Sequence, residues 1–362
     1  MTINLLVVSA LLLADACVFI SPERLVLPAL FGLGFEALLW ACLLMGISWW
    51  FSSRKSWCLV SFIAIALSAG NILHTFSHGQ PDCAGTTKQL TVMTYNTHQC
   101  GKLAKASKNA VLKNIRESGA DVVCLQEYEV SKNQRYLTFD EAKQFLKDIY
   151  PYTYYDFRVH NTRRQFGLAV YSKYPLIHKT SIHYESRGNQ SNYCDVVVEG
   201  DTLRLFTNHL ESNSIQESEL ELQEDSEQMK RKTLAVLKKM MAAYDYRADQ
   251  SRAVHEAIEA SPYPVIVAGD MNDVPVSYTY RTISKGLQDS FLKASICKRG
   301  WTFYKFFLGV RIDYIFVSDD FKVADAEVIK CEGSDHFPYK TTLRWEKNEK
   351  LCFITYFFYL HI

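Results

Sequence analysis

In residues 265–275, "VIVAGDMNDVP", a carboxylate and an amide stand two positions apart just past an apolar run. An uninterrupted apolar run bounded by Gly and Pro reads as a strand covered on both faces. The C-terminal ends of such strands are where α/β proteins build ligand sites. On an extended segment residues i and i+2 point to one side, which places Asp270 and Asn272 to meet one ligand. The same residues suit an Asx turn ahead of Pro275, and this stretch alone supports both readings equally. Four more apolar strands carry the same vocabulary at their ends: Asn96 in "QLTVMTYNTH", Glu127 in "DVVCLQEYE", His209 in "LRLFTNHLESN" and Asp313 in "RIDYIFVS". A sixth group, Ser334-Asp335-His336, precedes the last strand. Each has an ordinary explanation as a turn residue, a solvated strand end, a satisfied core histidine, an ion pair with Arg311 or a cap. Repeated at every strand end, carboxylate, amide and imidazole point to metal or phosphate chemistry.

The elements that must carry these residues alternate between two periods. Residues 89–98 alternate as a strand, 108–120 repeat as a helix, and 121–129 form another buried strand. Residues 166–176 and 195–213 read as three strands, two joined by a hairpin through Glu199-Gly200-Asp201. Residues 214–260 read as long helices whose acidic start and later Lys230-Arg231-Lys232 suit the helix dipole. Strands follow around Asp313 and within 334–345. The aromatic cluster "YPYTYYDF" (150–157) reads as packing. Interleaved strands and helices without repeats predict one α/β domain over 89–346. The apolar tail 347–362, with "LCFITYFFYLHI" at its end, is too short to span a bilayer and reads as packing.

Residues 1–76 differ in kind. Stretches 3–20, 25–51 and 56–74 hold two acids, Asp15 and Glu36, and otherwise no Asp, Glu, Lys or Arg. Each is near the ~20 residues that cross a bilayer as a helix, which predicts a three-helix transmembrane anchor over 1–76, with 77–88 as a linker. No basic region follows Met1, against a cleaved signal peptide. Arg54 and Lys55 in the second loop put that loop in the cytoplasm. The expected location is therefore a cell membrane (the inner membrane of a Gram-negative cell), multi-pass, with the following domain extracytoplasmic. Beyond residue 76 the chain holds 37 Lys and Arg against 36 Asp and Glu. That balance disfavours a duplex-DNA binder, whose affinity comes mostly from neutralised phosphates. Seven cysteines outside the apolar stretches, with no CxxC, give no zinc signature, and Cys124 reads as core.

Taken in order, "VMTYNTH", "DVVCLQE", "GLAVYSKYPL", "TNHLESN", "VIVAGDMND", "RIDYIFVS" and "SDHFP" resemble the motifs of the endonuclease/exonuclease/phosphatase superfamily across essentially all of 89–345. That fold is shared by pancreatic-type deoxyribonuclease, abasic-site nucleases, bacterial sphingomyelinases and inositol-phosphate 5-phosphatases. The resemblance, to a membrane-anchored bacterial-type member, implies a four-layer α/β sandwich: two packed mixed β-sheets flanked by helices, here preceded by the anchor. It implies that Glu127 ligates Mg²⁺ or Mn²⁺, helped by Asn96 and by Asp335 or Asp313. Asp270 is then the base for the attacking water and Asn272 a hydrogen-bonding partner. His209 and His336 donate to phosphoryl oxygens, and Asp335 fixes the His336 tautomer. His209 stands where abasic-site nucleases carry a tyrosine, as in sphingomyelinase-like members. The expected protein is a membrane-anchored, divalent-metal-dependent phosphoesterase acting on a phosphate mono- or diester, with a lipid-linked substrate in view. The alternatives are a DNA or RNA nuclease of the same fold and a non-catalytic binding protein that kept it.

Overall fold

The computed structural model describes residues 1–82, 86–160, 163–215, 219, 226–296, 298–305 and 308–346. The tail 351–362 and most of the acidic run 216–225 lie outside them. The chain forms two compact units: Met1–Phe76 with Glu211–Arg252 and Asn272–Ile283, and Ser77–Leu210 with Ala253–Met271 and the chain from Ser284 on.

The second unit holds every strand among the described residues. In chain order these are β1 (Lys88–Asn96), β2 (Val122–Ser131), β3 (Tyr152–His160), β4 (Arg164–Ser172), β5 (Leu176–Ile182), β6 (Gln190–Val198) and β7 (Asp201–His209), then β8 (Val265–Asp270), β9 (Gln288–Asp289), β10 (Phe303–Lys305), β11 (Leu308–Val310), β12 (Asp313–Val317), β13 (Lys322–Val328) and β14 (Tyr339–Trp345). Two six-stranded mixed sheets run β13-β14-β1-β2-β4-β3 and β5-β6-β7-β8-β12-β9, beside a small β10-β11 ladder. Each large sheet has one parallel pair, β1 with β2 and β7 with β8, and is otherwise antiparallel.

Period-2 alternation makes these sheets pack. Leu90 and Val92 of β1 and Val122 and Cys124 of β2 join Val196, Leu205, Ile266 and Ile315 of the other sheet in one buried cluster. The intervening Met93, Tyr95, Val123 and Leu125 pack instead with Val111, Leu112, Ile115, Ala142 and Leu146. Those residues lie on the helices Ala110–Glu117 and Phe139–Leu146. The first helix starts where Asn109 accepts a bond from the Leu112 amide at 3.1 Å, an N-cap of the ordinary kind. Two packed mixed sheets flanked by helices are thus built as expected. Residues 77–82 are more than a free linker, because His78 and Gly79 donate to Leu292 O and Asp82 donates to Val323 O.

The first unit opens with helices α1 (Thr2–Ala16), α2 (Leu27–Leu33), α3 (Phe35–Trp50), α4 (Trp57–Leu67) and α5 (Ala69–Thr75). Among the described residues no single helix is long and apolar enough to cross a membrane. The stretches 25–51 and 56–74, each expected as one span, are instead bent pairs: α2 with α3 by 73° and α4 with α5 by 57°. Hydropathy does not register such breaks, which fall at Gly34 and Ser68. Ser68 bonds back to Ala64 O at 3.0 Å and across to Asp15 at 2.6 Å, and Asn71 reaches Asp15 at 2.8 Å. The one acid of the first apolar stretch is thereby hydrogen-bonded, as a partly buried carboxyl group requires. At one end of the unit Arg54 reaches the Met1 sulfur at 3.0 Å. Elsewhere Glu23, in the first loop, takes both nitrogens of Arg252 at 2.9 and 2.8 Å.

Candidate active site

The two parallel pairs place their C-terminal ends together, and the chemistry sits there. Asn96 ends β1 beside Gln126 of β2, and His209 ends β7 directly opposite Asp270, the last residue of β8. Asp313 opens β12 opposite Asp270 from its other side. Local backbone devices aim these groups. Glu127 lies in a bulge of β2 between Leu125 and Tyr128, with φ of 50°. Gly269 has φ of 148°, and a Cβ there would lie 2.1 Å from Asn208 O. Only glycine therefore lets β8 pass so close to β7 just before the carboxylate.

Asn96 Nδ2 donates to Asp270 Oδ2 at 2.9 Å and to Glu127 Oε1 at 3.3 Å. His209 Nε2 stands 3.8 Å from Glu127 Oε1 and 3.9 Å from Asp270 Oδ2. His336 Nε2 is 3.7 Å from Asp270 Oδ2, while its Nδ1 meets Asp313 Oδ2 at 2.9 Å. Asp270, Asp313 and His336 are almost fully buried, whereas the Glu127 side chain keeps 24% exposure. Burial, then the Asp313 charge, push Asp270 up to about 6 against the pull of His336 and His209. Burial alone would lower His336, but Asp313 and Asp270 outweigh it and raise it to about 10. The cluster thus pairs a carboxylate near its titration point with an imidazolium, a division suited to acid–base work.

Several side chains pair otherwise than their sequence neighbourhood suggests. Asp313, not Asp335, holds His336 Nδ1, because the β12 register sets it beside Asp270. Asp335 turns to His98, whose Nδ1 is 3.2 Å away. That hydrogen bond raises His98, and His98 and His336 together outweigh burial to lower Asp335. Asn96 turns its NH₂ to the carboxylates, and its oxygen accepts from the His98 amide at 3.1 Å. Asn272 has φ of 50° and lies past the end of β8. The i, i+2 rule for extended chain does not reach it, and it belongs to the first compact unit.

Sequence reasoning gave no role to several supports. Ser334 Oγ donates to Asn96 O at 2.7 Å, which ties the segment before His336 to β1. The Thr302 hydroxyl accepts from the Asp313 amide at 3.1 Å. Phe303 packs its ring 4.8 Å from that of His336. The serine lies inside the quoted "SDHFP" signal; the threonine and phenylalanine carry none.

The donors fit a hard divalent cation. Glu127 offers a carboxylate oxygen with room for solvent, the donor class such ions take. The donor atoms of Asp270, Asp313 and His336 also lie within 4.8 Å of one another and could hold an ion. Their own hydrogen bonds already commit His336 Nδ1 and Asp270 Oδ2. Two buried atoms at this centre, Asp313 Oδ1 and His209 Nε2, have no hydrogen-bond partner among the described residues, a costly state that a ligand relieves.

A family model described as "Endonuclease/Exonuclease/phosphatase family" matches residues 93–336. A second, described as a domain of unknown function, matches residues 1–75. Among solved structures, the chain is similar to an endonuclease/exonuclease/phosphatase from Beutenbergia cavernae, with TM-score 0.50 and 18% identity, over 72% of each chain. It is similar to a family protein from Leptotrichia buccalis, with TM-score 0.50 and 17% identity, over 70% of this chain and 98% of that one. At these identities the likeness shows the fold. No curated protein matches the chain.

Proposed function

The chain belongs to the endonuclease/exonuclease/phosphatase family, and from that premise we propose that it hydrolyses a phosphoester with water at the Asp270–His336 centre. The observation that carries this reading is the convergence of Asn96, Glu127, His209, Asp270, Asp313 and His336 at the ends of the two parallel strand pairs. Asp270, held by the Asn96 amide, takes a proton from the attacking water. His336, kept cationic by Asp313, donates from Nε2 to a phosphoryl oxygen as charge builds there, and His209 Nε2 offers a second donor. Glu127 would hold a Mg²⁺ or Mn²⁺, which when bound would supply Lewis-acid polarisation of the phosphoryl group. Asn272 remains a proposed partner of the phosphate or the water.

Residues 1–76 are proposed as a membrane anchor, with each bent pair serving as a broken span. Most exposed large hydrophobic side chains among the described residues lie in 1–73, including Phe19, Leu44, Phe51 and Leu67. The Met1–Arg54 contact joins the amino terminus to the second loop, and the Glu23–Arg252 pair joins the first loop to the polar helix Ser226–Glu259. That pattern supports the topology read from Arg54 and Lys55, with the second loop cytoplasmic and the catalytic centre outside. The proposed substrate is a lipid-linked or small phosphoester. Near-neutral charge beyond residue 76 supports it over duplex DNA.

The test is the full chain in lipid nanodiscs with Mg²⁺, assayed against sphingomyelin-like lipids, inositol phosphates, RNA and plasmid DNA. Faster turnover of a lipid or small phosphoester than of plasmid at physiological salt is expected. Rapid nicking of plasmid without such turnover would favour the nuclease. No turnover of any of the four would leave a binding protein.

A further inference from the structure

Two loops leave the catalytic strands, one past His209 and one past Asp270, and both enter the compact unit of the N-terminal helices. The contacts there are specific. Val276 is 2% exposed and packs in one cluster with Leu11, Cys17, Phe35 and Leu39. The Cys17 thiol donates to Val276 O at 3.1 Å. A Cβ at Gly32 would lie 2.6 Å from Val276 O and 2.6 Å from Cys17 Sγ, so α2 meets this loop at a distance only glycine permits. Tyr280 sets its ring edge-on to His74 of α5 at 5.6 Å. The segments that bend away from α3 and α4 thus both reach residues 276–280, alongside the α1 and α3 side chains.

The other loop is fastened from within the same unit. Arg247 is fully buried and donates to Glu211 O at 2.8 Å and to Asn213 Oδ1 at 3.1 Å. Its Nε reaches Asp273 at 3.3 Å, and Thr279 bonds the same carboxylate oxygen at 2.8 Å. Glu211 stands two residues past His209, and Asp273 three past Asp270. One buried guanidinium thus ties together the chain exits of two proposed catalytic residues, and a charge so buried holds its partners firmly.

A tether needs none of this; a flexible linker would serve it. We propose that the N-terminal helices are the positioning scaffold of the segments 211–213 and 272–283, the second of which ends in the short helix Tyr278–Ile283, with Gly32 and Cys17 as positioning residues for the proposed hydrolysis. This assigns a task to the stretch matched as a domain of unknown function, and it rests on the hydrolytic reading only for its rate readout. Displacing Val276 pulls on the segment that begins at Asp270, and displacements of ~1 Å in such groups cost about a hundredfold in rate.

The experiment uses the full chain in lipid nanodiscs with Mg²⁺, bis(p-nitrophenyl) phosphate as probe, and hydrogen exchange read by peptide. Gly32→Val should lower kcat/KM about tenfold to a hundredfold, mainly through kcat. Amides in 272–283 should exchange faster while those in 265–270 keep their protection. Cys17→Ala should move both readouts in the same direction by a smaller factor. Gly70→Ala, where a Cβ meets nothing within 4 Å, should move neither. Wild-type rate and wild-type exchange in Gly32→Val overturn the proposal. If Gly32→Val fails to fold, Cys17→Ala decides, and unchanged exchange in 272–283 overturns it. A wild-type chain inert on every phosphoester defeats the hydrolytic reading, and the exchange arm still decides the scaffold.

Discussion

Gly269→Ala is the sharpest perturbation that the site allows, because it adds one methyl group next to the proposed base without removing any polar atom. The new Cβ would sit 2.1 Å from Asn208 O and 2.7 Å from Asn208 N, both backbone atoms. Neither can rotate away, so β7 and β8 must part by about 1 Å to restore ordinary contact. The φ of 148° adds strain that glycine alone escapes. Overpacking and strain together amount to about 3 kcal/mol, which for a domain of this size lowers Tm by roughly 6–12 °C. The same displacement carries Asp270 away from Asn96 Nδ2, now 2.9 Å distant, and should cost about a hundredfold in kcat/KM. Thermal melting and steady-state hydrolysis of bis(p-nitrophenyl) phosphate by the full chain read the two effects separately. Wild-type values in both would show that the strand approach does not position the carboxylate.

The other expectations test the roles one at a time. Asp270→Asn, Glu127→Gln and His336→Ala should each lower kcat by at least about a hundredfold in steady-state assays; wild-type turnover in all three would remove the site assignment. A base must be ionised and a donor protonated, so kcat/KM should rise with pH up to about 6 with Asp270 and fall above about 10 with His336. A bound cation would lower the first limb. Asp313→Asn removes a charge that raises both groups, so a full pH profile should show both limbs moving to lower pH; movement upward would contradict the pairing. Excess chelator should abolish turnover and Mg²⁺ or Mn²⁺ restore it, with full activity in chelator the opposing result. A reporter active only in the cytoplasm should be silent when fused after Lys88 and active between Ser53 and Arg54; the reverse would invert the topology.

The site was legible because buried strands announce themselves and the polar residue at each end is conspicuous. Asn96, Glu127, His209, Asp270 and Asp313 were all found that way, and the structure brings them together. Which carboxylate meets His336 was not legible, since strand register, rather than sequence neighbourhood, puts Asp313 on Nδ1. β3 escaped notice because aromatic residues occupy both of its faces in "YTYYDF", which erases the period of two. β13, "KVADAEV", is an edge strand and too polar to read as apolar. The breaks at Gly34 and Ser68 leave mean hydropathy unchanged. Nothing local marks residues 211–252 and 272–283 as partners of the amino-terminal helices, since packing between distant segments leaves no periodic trace.

The position of β14 has a consequence for how this chain folds. β14 lies between β13 and β1 and pairs with β1 along Lys88–Thr94. Until it is synthesised, the first strand keeps a bare edge, open to wrong partners. His336 stands just before β14, and Ser334 closes back on Asn96 across 238 positions. Contacts of such separation form late. A ribosome-bound chain would therefore carry no complete catalytic centre until nearly all of its sheet-forming sequence has emerged. In refolding, hydrolysis should return as one late event, after most of the secondary structure.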